Sequence, residues 1–429
     1  MNILHITSKL PWPLIDGARI CMYRTVEGLA ALGHEIQLVC FDEQYGDPGP
    51  LSSMARVEVI PLKVRPNAVG ALLTLGSRRP YTQLKREVAA TYPMLDRLHA
   101  ERRFDVVLAD EIHIASYGAY MKRRHGVPYL LRTHNVEYEI YRRHTDTVGN
   151  TLMRAYLELQ TARWRRFEVE QFALADALAA ITGRDRAMIE EMAPGCLVRT
   201  VPAAVDLEAF PYHGADGRES ASMVMLGDMK WPPNRDAALW FTREILPLVV
   251  EKVPDAVLYL LGGNPPTAQL PAPSGNLRIE GRVPEVAPYF ERAALGLIPL
   301  RVGGGMRVKM IEMMSAGMPI VSTTQGAEGN EAADGEHFVR ADDAASFAAA
   351  IVRLLGDAAE RDRLARAGRS FVEQHYALAV VARSLESLLG EAIARATGQT
   401  ARATAAADSP KAPDATPASD ASVTPEARR

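Results

Sequence analysis

Residues 303–329 read GGGMRVKMIEMMSAGMPIVSTTQGAEG. The three glycines follow Leu295–Pro299, a short apolar run that reads as a strand. Val308–Ala316 carries helical spacing and closes at Gly317, and Ile320–Ser322 starts another strand. Strand, glycine turn, helix and strand form one unit of a parallel α/β sheet. Glycine lets the backbone approach a ligand closely and point successive N–H groups at it. The helix that follows offers its positive end to an anion. Arg307 and Lys309 add two formal charges there, and charge-assisted bonds of this kind contribute roughly 1.5–3 kcal/mol each. Glu312, about one helical turn on, could accept bonds from two ribose hydroxyls. The combination reads as a nucleoside diphosphate pocket. The competing reading is a glycine turn with a solvated helix start.

Upstream, the same rhythm holds. Met223–Leu226 and Val257–Leu261 read as strands, the latter ended by Gly262 and Gly263, and Leu277–Ile279 follows as another. Between the first two, Arg235–Val250 reads as a helix with Ala238, Phe241 and Ile245 on one face. A second such set opens the chain, with strand Met1–Thr7, helix Ala18–Leu32 and strand Ile36–Phe41. Apolar runs at Val57–Leu62, Asp105–Ala109 and Tyr129–Arg132 continue it. Continuous apolar strands alternating with helices predict an α/β fold with parallel sheets covered on both faces. Val201–Pro211 joins the two sets as a linker, and Phe371–Arg395 reads as helical beyond the second. From Gly398 the last 32 residues hold ten alanines and four prolines with almost no large apolar side chain. Such a segment cannot offset its ordering entropy and is expected to be disordered.

The 429 residues suggest two or three domains, and 48% hydrophobic with 24% charged residues fits a soluble globular chain. A collagen-like chain, a coiled-coil rod and a mainly disordered chain are excluded. The net charge of −3 argues against a nucleic-acid coat. Cys21, Cys40 and Cys196 lie far apart, which speaks against a disulfide framework or zinc knuckle and fits a reducing cytoplasm. The N-terminal apolar stretch is too short for a signal peptide, and nowhere do about 18 apolar residues run together as a membrane span would need.

The 303–329 stretch resembles the donor-site signature of family 4 (group 1) glycosyltransferases, retaining enzymes of the two-domain GT-B architecture. Glu312, Ala316, Gly317, Pro319 and Ile320 stand where that pattern has Glu, Ala-x-Gly and Pro-Val. Other pieces fall in the family's order. Pro11, Pro13 and Gly17 resemble its first strand-to-helix loop, and Gly33-His34-Glu35 its Gly-His-Glu turn. Asn135-Val136-Glu137 after Thr133-His134 resembles a segment of a bacterial subgroup. Val201-Pro202-x-x-Val205-Asp206 resembles its linker, Gly227 to Asn234 its first donor-domain loop, and Gly281-x-Val283 the next. The resemblance covers about residues 1–390. It departs from the pattern at Gly304, where the first of two glutamates is missing. That glutamate commonly helps to hold the donor sugar. Ala203-Ala204 replaces Asn-Gly in the linker, and Lys230 and Asn234 replace the commoner Arg and Lys.

The resemblance implies two Rossmann-like domains facing a cleft. Residues 1–205 would bind the acceptor and 206–370 the nucleotide sugar. Residues 371–397 would form a helix crossing back to the first domain, and 398–429 a disordered tail. The implied reaction moves a sugar from a UDP- or GDP-sugar to a hydroxyl of a glycan or lipid-linked acceptor, with retention, in the assembly of a bacterial surface polysaccharide. No cofactor or metal is expected. Donor contacts are implied for Gly17, Gly227, Lys230, Asn234, Val283, Gly304, Gly305, Arg307, Lys309 and Glu312. The catalytic set is Arg307 and Lys309 on the leaving diphosphate, with His113 or Glu111 by the sugar. His134, Asn135 and Glu137 are acceptor candidates, against ordinary loop hydrogen bonding. A sugar-nucleotide epimerase and a non-catalytic partner subunit of the same fold are the alternatives.

Residues Met121–Arg166 carry ten Lys/Arg against four Asp/Glu, with Trp164 flanked by arginines. This stretch could dock on an anionic membrane surface, at the inner face of the plasma membrane, or simply be a solvated helix face. Nucleic-acid binding lacks a supporting motif.

Overall fold

In the computed structural model, which describes residues 1–43, 46–65, 67–214 and 217–407, the chain builds two parallel sheets. The first contains β1 (Asn2–Thr7), β2 (Glu35–Asp42), β3 (Arg56–Pro61), β4 (Val106–Asp110), β5 (Tyr129–Thr133), β6 (Ala177–Ala180) and β7 (Val198–Thr200). The second contains β8 (Glu219–Leu226), β9 (Val257–Leu261), β10 (Leu277–Gly281), β11 (Ala293–Ile298), β12 (Ile320–Ser322) and β13 (Val339–Arg340). Their strand orders are β3-β2-β1-β4-β5-β6-β7 and β10-β9-β8-β11-β12-β13. Both are doubly wound, so each has a crevice where the order reverses, outside the carboxyl ends of β1 and β4 or of β8 and β11. The α/β expectation holds. The central strands are buried on both faces, which is why they read as unbroken apolar runs.

Three short strands escape the sequence patterns. β6 reads ALAA, and β7 and β13 hold three and two residues. The helix expected over Arg235–Val250 is divided into Pro232–Trp240, a π-helical turn Phe241–Ile245 and Leu246–Lys252. Pro247 supplies the reason, since it has no N–H to give the preceding turn.

The helical stretch expected over Phe371–Arg395 is likewise two helices, Ala358–His375 and Leu378–Ala407, broken at Tyr376 and Ala377. At this break the chain returns to the first sheet. Val205 donates its N–H to the Tyr376 carbonyl at 2.8 Å, and Leu378 donates to the Val205 carbonyl at 3.1 Å. The two crossings between the halves are therefore laced together. Beyond the break, Leu385, Leu388, Leu389 and Ala392 join the core formed by Ile3, Leu38 and Leu130. The helix runs to Ala407, past the Gly398 at which disorder was expected to begin. Residues 408–429 lie outside the described residues, and so does that part of the expectation. Among the described residues no helix is long and apolar enough to cross a membrane.

Candidate functional site

The loop Gly303–Arg307, between β11 and helix Val308–Ser315, abuts the N-terminal half. A Cβ on Gly305 would stand 2.7 Å from Asn135 Oδ1, and one on Gly17 3.6 Å from Val308 Cγ2. Met306 and Val308 pack on Cys21, Ile181 and Ala203. The loops after β1, β5 and β11 thus meet in one cleft. Gly303 (φ 125°) and Gly305 (φ 78°) hold a backbone conformation that a side chain would strain.

Arg307 is the charged centre of the C-terminal wall. It is buried, with Nη1 donating to the Gly304 carbonyl at 2.6 Å and Nη2 to the Gln325 carbonyl at 3.2 Å. Its guanidinium lies 5.8 Å from the Trp231 ring centroid. Nε is buried without a partner. Burial pushes its pKa down to about 10, with Glu328 opposing and Arg143 adding to the shift.

Lys309 points to the loop after β8. Its Nζ donates to the Leu226 carbonyl at 2.6 Å and to Asn234 Oδ1 at 3.0 Å. Burial, with Arg307 nearby, pushes its pKa down to about 7. Glu312 is pushed up to about 7 by burial, against the pull of Arg24 and Lys309. Asn234 also donates to the Asp228 carbonyl at 3.0 Å, and a Cβ on Gly227 would meet its side chain at 2.5 Å. Asn234 and Lys309 therefore fasten the β8 loop to the helix that begins at Val308. Lys230 is exposed, and Val283 is half-buried against the C-terminal core.

The N-terminal wall is built on the ends of β4 and β5. Asp110, fully buried, bonds His5 Nε2 at 3.1 Å and His134 Nε2 at 2.6 Å. Against burial, His134 holds Asp110 well below the carboxylate range, while Cys21 and Asp110 raise His134 well above its usual value. His134 is therefore a buried cation locked on Asp110. Its other ring nitrogen, Nδ1, lies 3.6 Å from Glu111 Oε1. Glu111 follows with φ 97°, a conformation rare for a side-chain-bearing residue. His113 lies between two carboxylates, 3.9 Å from Glu111 Oε2 through Nδ1 and 3.9 Å from Glu137 Oε2 through Nε2. Burial pushes His113 down to about 3, so its ring is neutral. Burial and the Glu111 charge push Glu137 up to about 7, while the His134 charge overcomes burial to hold Glu111 low. Unlike environments for two carboxyls separate an ionised group from a protonated one. Beneath them, Glu168 accepts the N–H groups of Glu137 (2.6 Å) and Tyr138 (3.0 Å) at the start of helix Glu137–Thr147.

Of the expected residues, Gly304, Gly305, Arg307, Lys309 and Glu312 gather in one wall and Glu111, His113 and Glu137 in the other, with Asn135 at the seam. Four contributors were not expected: Arg24, Arg143, Gln325 and Glu328. Gln325 and Glu328 do lie inside the quoted stretch. The structure sorts the basic stretch Met121–Arg166 into buried and exposed residues. Trp164 is fully buried, stacked edge-on with His113 at 5.0 Å, and Arg132 and Arg163 are buried too. Trp164 belongs to the core, whereas Arg154, Arg165 and Arg166 are exposed. Among the described residues no three His, Cys, Asp or Glu side chains group as cation ligands.

The description "Glycosyl transferase 4-like domain" matches residues 16–204, and "Glycosyl transferases group 1" matches 220–357. A protein from Klebsiella pneumoniae, described as an uncharacterized 44.6 kDa protein in the cps region, is 20% identical over 390 residues. The match spans 87% of this chain and 96% of that one. Sucrose-phosphate synthase from Thermosynechococcus elongatus superimposes with a TM-score of 0.65 at 16% identity, covering 95% of this chain and all of that one. Anabaena Alr3699/HepE in complex with UDP gives 0.63 at 12% identity, covering 91% of this chain and all of that one. WaaG, a glycosyltransferase involved in lipopolysaccharide biosynthesis, gives 0.58 at 14% identity over 91% of this chain and all of that one.

Proposed function

The chain belongs to the group 1 glycosyltransferases of GT-B architecture, and on that premise we propose that it transfers a sugar from a nucleoside diphosphate sugar to a hydroxyl of a glycan or lipid-linked acceptor. The observation that carries the proposal is Arg307, a buried guanidinium with an unpartnered Nε beside a glycine loop, at a helix start facing the other domain. A fixed, buried guanidinium beside a glycine loop supports a site for a leaving diphosphate. The bond from the anomeric carbon to the phosphate oxygen breaks, and the acceptor oxygen bonds to that carbon from the same side. Attack on the face from which the phosphate leaves retains the configuration, and the acceptor proton passes to the departing phosphate oxygen. Arg307 and the helix end stabilise the charge that develops on the diphosphate. UDP is the preferred nucleotide, on the strength of the UDP bound by Anabaena Alr3699/HepE. The Klebsiella pneumoniae relative from a cps region supports a role in surface polysaccharide assembly.

Thermal melting with UDP, GDP, ADP and TDP, without metal, tests this reading. One nucleotide is expected to raise the melting temperature, since a ligand at a hundred times its dissociation constant adds about 2.7 kcal/mol. No shift with any of them would remove the donor-site reading. A shift without transfer to any acceptor would favour a non-catalytic partner subunit.

A lipid-linked acceptor places the work in the cytoplasm, against the inner face of the membrane. The apolar contact then belongs to Val69, Leu72 and Leu73 of helix Ala68–Leu73 and to Leu152 and Met153, all exposed. Exposed Arg154, Arg165 and Arg166 on helix Thr151–Leu174 complement anionic headgroups. The double variant Leu72→Asp/Leu73→Asp is expected to float less with vesicles rich in phosphatidylglycerol while binding nucleotide normally. Unchanged flotation would exclude this face.

A further inference from the structure

Transfer requires the reacting sugar to lie between the diphosphate loop and the acceptor wall. At that seam Gly304 offers no side chain, and Gly305 backs onto Asn135. The side chains beside the loop come from elsewhere. Gln325, after β12, donates to the Gly303 carbonyl at 2.6 Å and also bonds the Glu328 carboxylate. Arg143, from helix Glu137–Thr147, reaches across to the Gly303 carbonyl at 3.4 Å and to Glu328 Oε1 at 3.4 Å. Arg184 pairs with the same Oε1. Behind them Glu139 Oε1 receives Arg143 Nε at 3.0 Å and Arg184 Nη2 at 3.4 Å.

We infer that Glu328 binds hydroxyls of the transferred sugar, supplying from the β12 loop the carboxylate that position 304 lacks, and that this sugar is uncharged. The inference rests on the donor-site reading above and goes on to name the sugar's class. Two features argue for it. Both arginines converge on Oε1, and Gln325 alone takes Oε2, so Oε2 keeps acceptor capacity for a hydroxyl donor. The charges also balance. Arg143 and Arg184 face Glu139 and Glu328, while Arg142 is matched by Asp146 at 3.3 Å as well as by Glu139. A balanced network has no cation to spare for a sugar carboxylate. Because its two clasping arginines belong to the N-terminal half, Glu328 is aimed only while the halves are together. Arg143 and Arg184 are positioning residues.

Calorimetric titration tests this with UDP, UDP-glucose, UDP-galactose, UDP-N-acetylglucosamine and UDP-glucuronate on the parent, Glu328→Ala, Glu328→Gln and Arg143→Ala. All variants are expected to bind UDP within about threefold of the parent. The preferred neutral UDP-sugar is expected to bind Glu328→Ala 10- to 100-fold more weakly, as loss of a bond to a charged group implies. Glu328→Gln, which keeps the shape and one acceptor, should lose less. Arg143→Ala should lose part of the sugar's contribution, raising the donor KM more than it lowers kcat. Unchanged affinity of Glu328→Ala for every UDP-sugar overturns the inference. So does a parent preference for UDP-glucuronate that Arg143→Ala abolishes, since the arginines would then bind a carboxylate. If the parent binds neither UDP nor any UDP-sugar, the same series is run on sugars of the nucleotide that raises the melting temperature, and if no nucleotide does, the donor-site reading itself falls and this inference with it.

Discussion

Arg307→Ala is expected to lose about 100- to 1000-fold in kcat/KM and to abolish the melting shift produced by the nucleotide. Removing one preorganised donor to developing negative charge costs about that much. Here the donor is also a full charge, already stripped of water by burial. Its Nη atoms are committed to the Gly304 and Gln325 carbonyls, at 2.6 and 3.2 Å, so the guanidinium is fixed before any ligand arrives. The buried Nε has no other partner in the described structure. Arg307→Lys should rescue little, because an ammonium cannot serve two carbonyls and a phosphate in a planar fork. Both variants leave carbonyl acceptors unpaired and should melt somewhat lower without ligand. Turnover is therefore to be compared well below either melting temperature. A variant Arg307→Ala that keeps both the nucleotide shift and turnover would move the diphosphate away from this loop.

What the sequence discloses of this site is what local spacing can encode. Gly303–Glu312 are consecutive, and a glycine turn before a helix implies a phosphate cradle from ten residues alone. The sequence places Glu111 and His113 after one strand and Glu137 after another; that they meet follows from β4 and β5 pairing as parallel neighbours, so their carboxyl ends share an edge. The destination of Lys309 was not legible, since Asn234 lies 75 residues away on another loop. Nor was the role of Glu328. It depends on β12 lying beside β11, and on arginines from the other half whose sequence distance to it exceeds 140 residues. Trp164 is instructive in the other direction. It shares a face with Leu157, Gln160, Phe167 and Gln171, all buried, and that three-and-four spacing outweighs the adjoining arginines. Charge beside an aromatic residue said less than its place in the helical period.

Affinity for UDP is expected to fall above pH 7 by up to about tenfold per pH unit, because one pKa unit corresponds to about 1.4 kcal/mol. In the empty site burial and Arg307 lower Lys309 to about 7, so at pH 8 the amine is mostly neutral. A diphosphate placed beside it favours the ammonium and raises that pKa. Binding above pH 7 must therefore take up a proton, and linkage makes binding weaker as protons become scarce. Glu312 runs the opposite way. Raised to about 7, it is mostly protonated at pH 6, whereas ribose hydroxyls donate best to the carboxylate. Binding below pH 7 then releases a proton and weakens toward acid. The phosphate of UDP, with a second pKa near 6, contributes to that limb as well. Glu312→Gln separates the two, since only the phosphate part survives in it. Calorimetry at pH 8 in two buffers of different ionisation enthalpy counts the protons directly. The wild type should take up close to one and Lys309→Met close to none, with an affinity that is lower throughout but flat above pH 7. Proton uptake at pH 8 that survives in Lys309→Met would assign the linkage to another group, and no uptake in the wild type would mean that Lys309 never meets the diphosphate and serves only to hold Asn234 and the β8 loop.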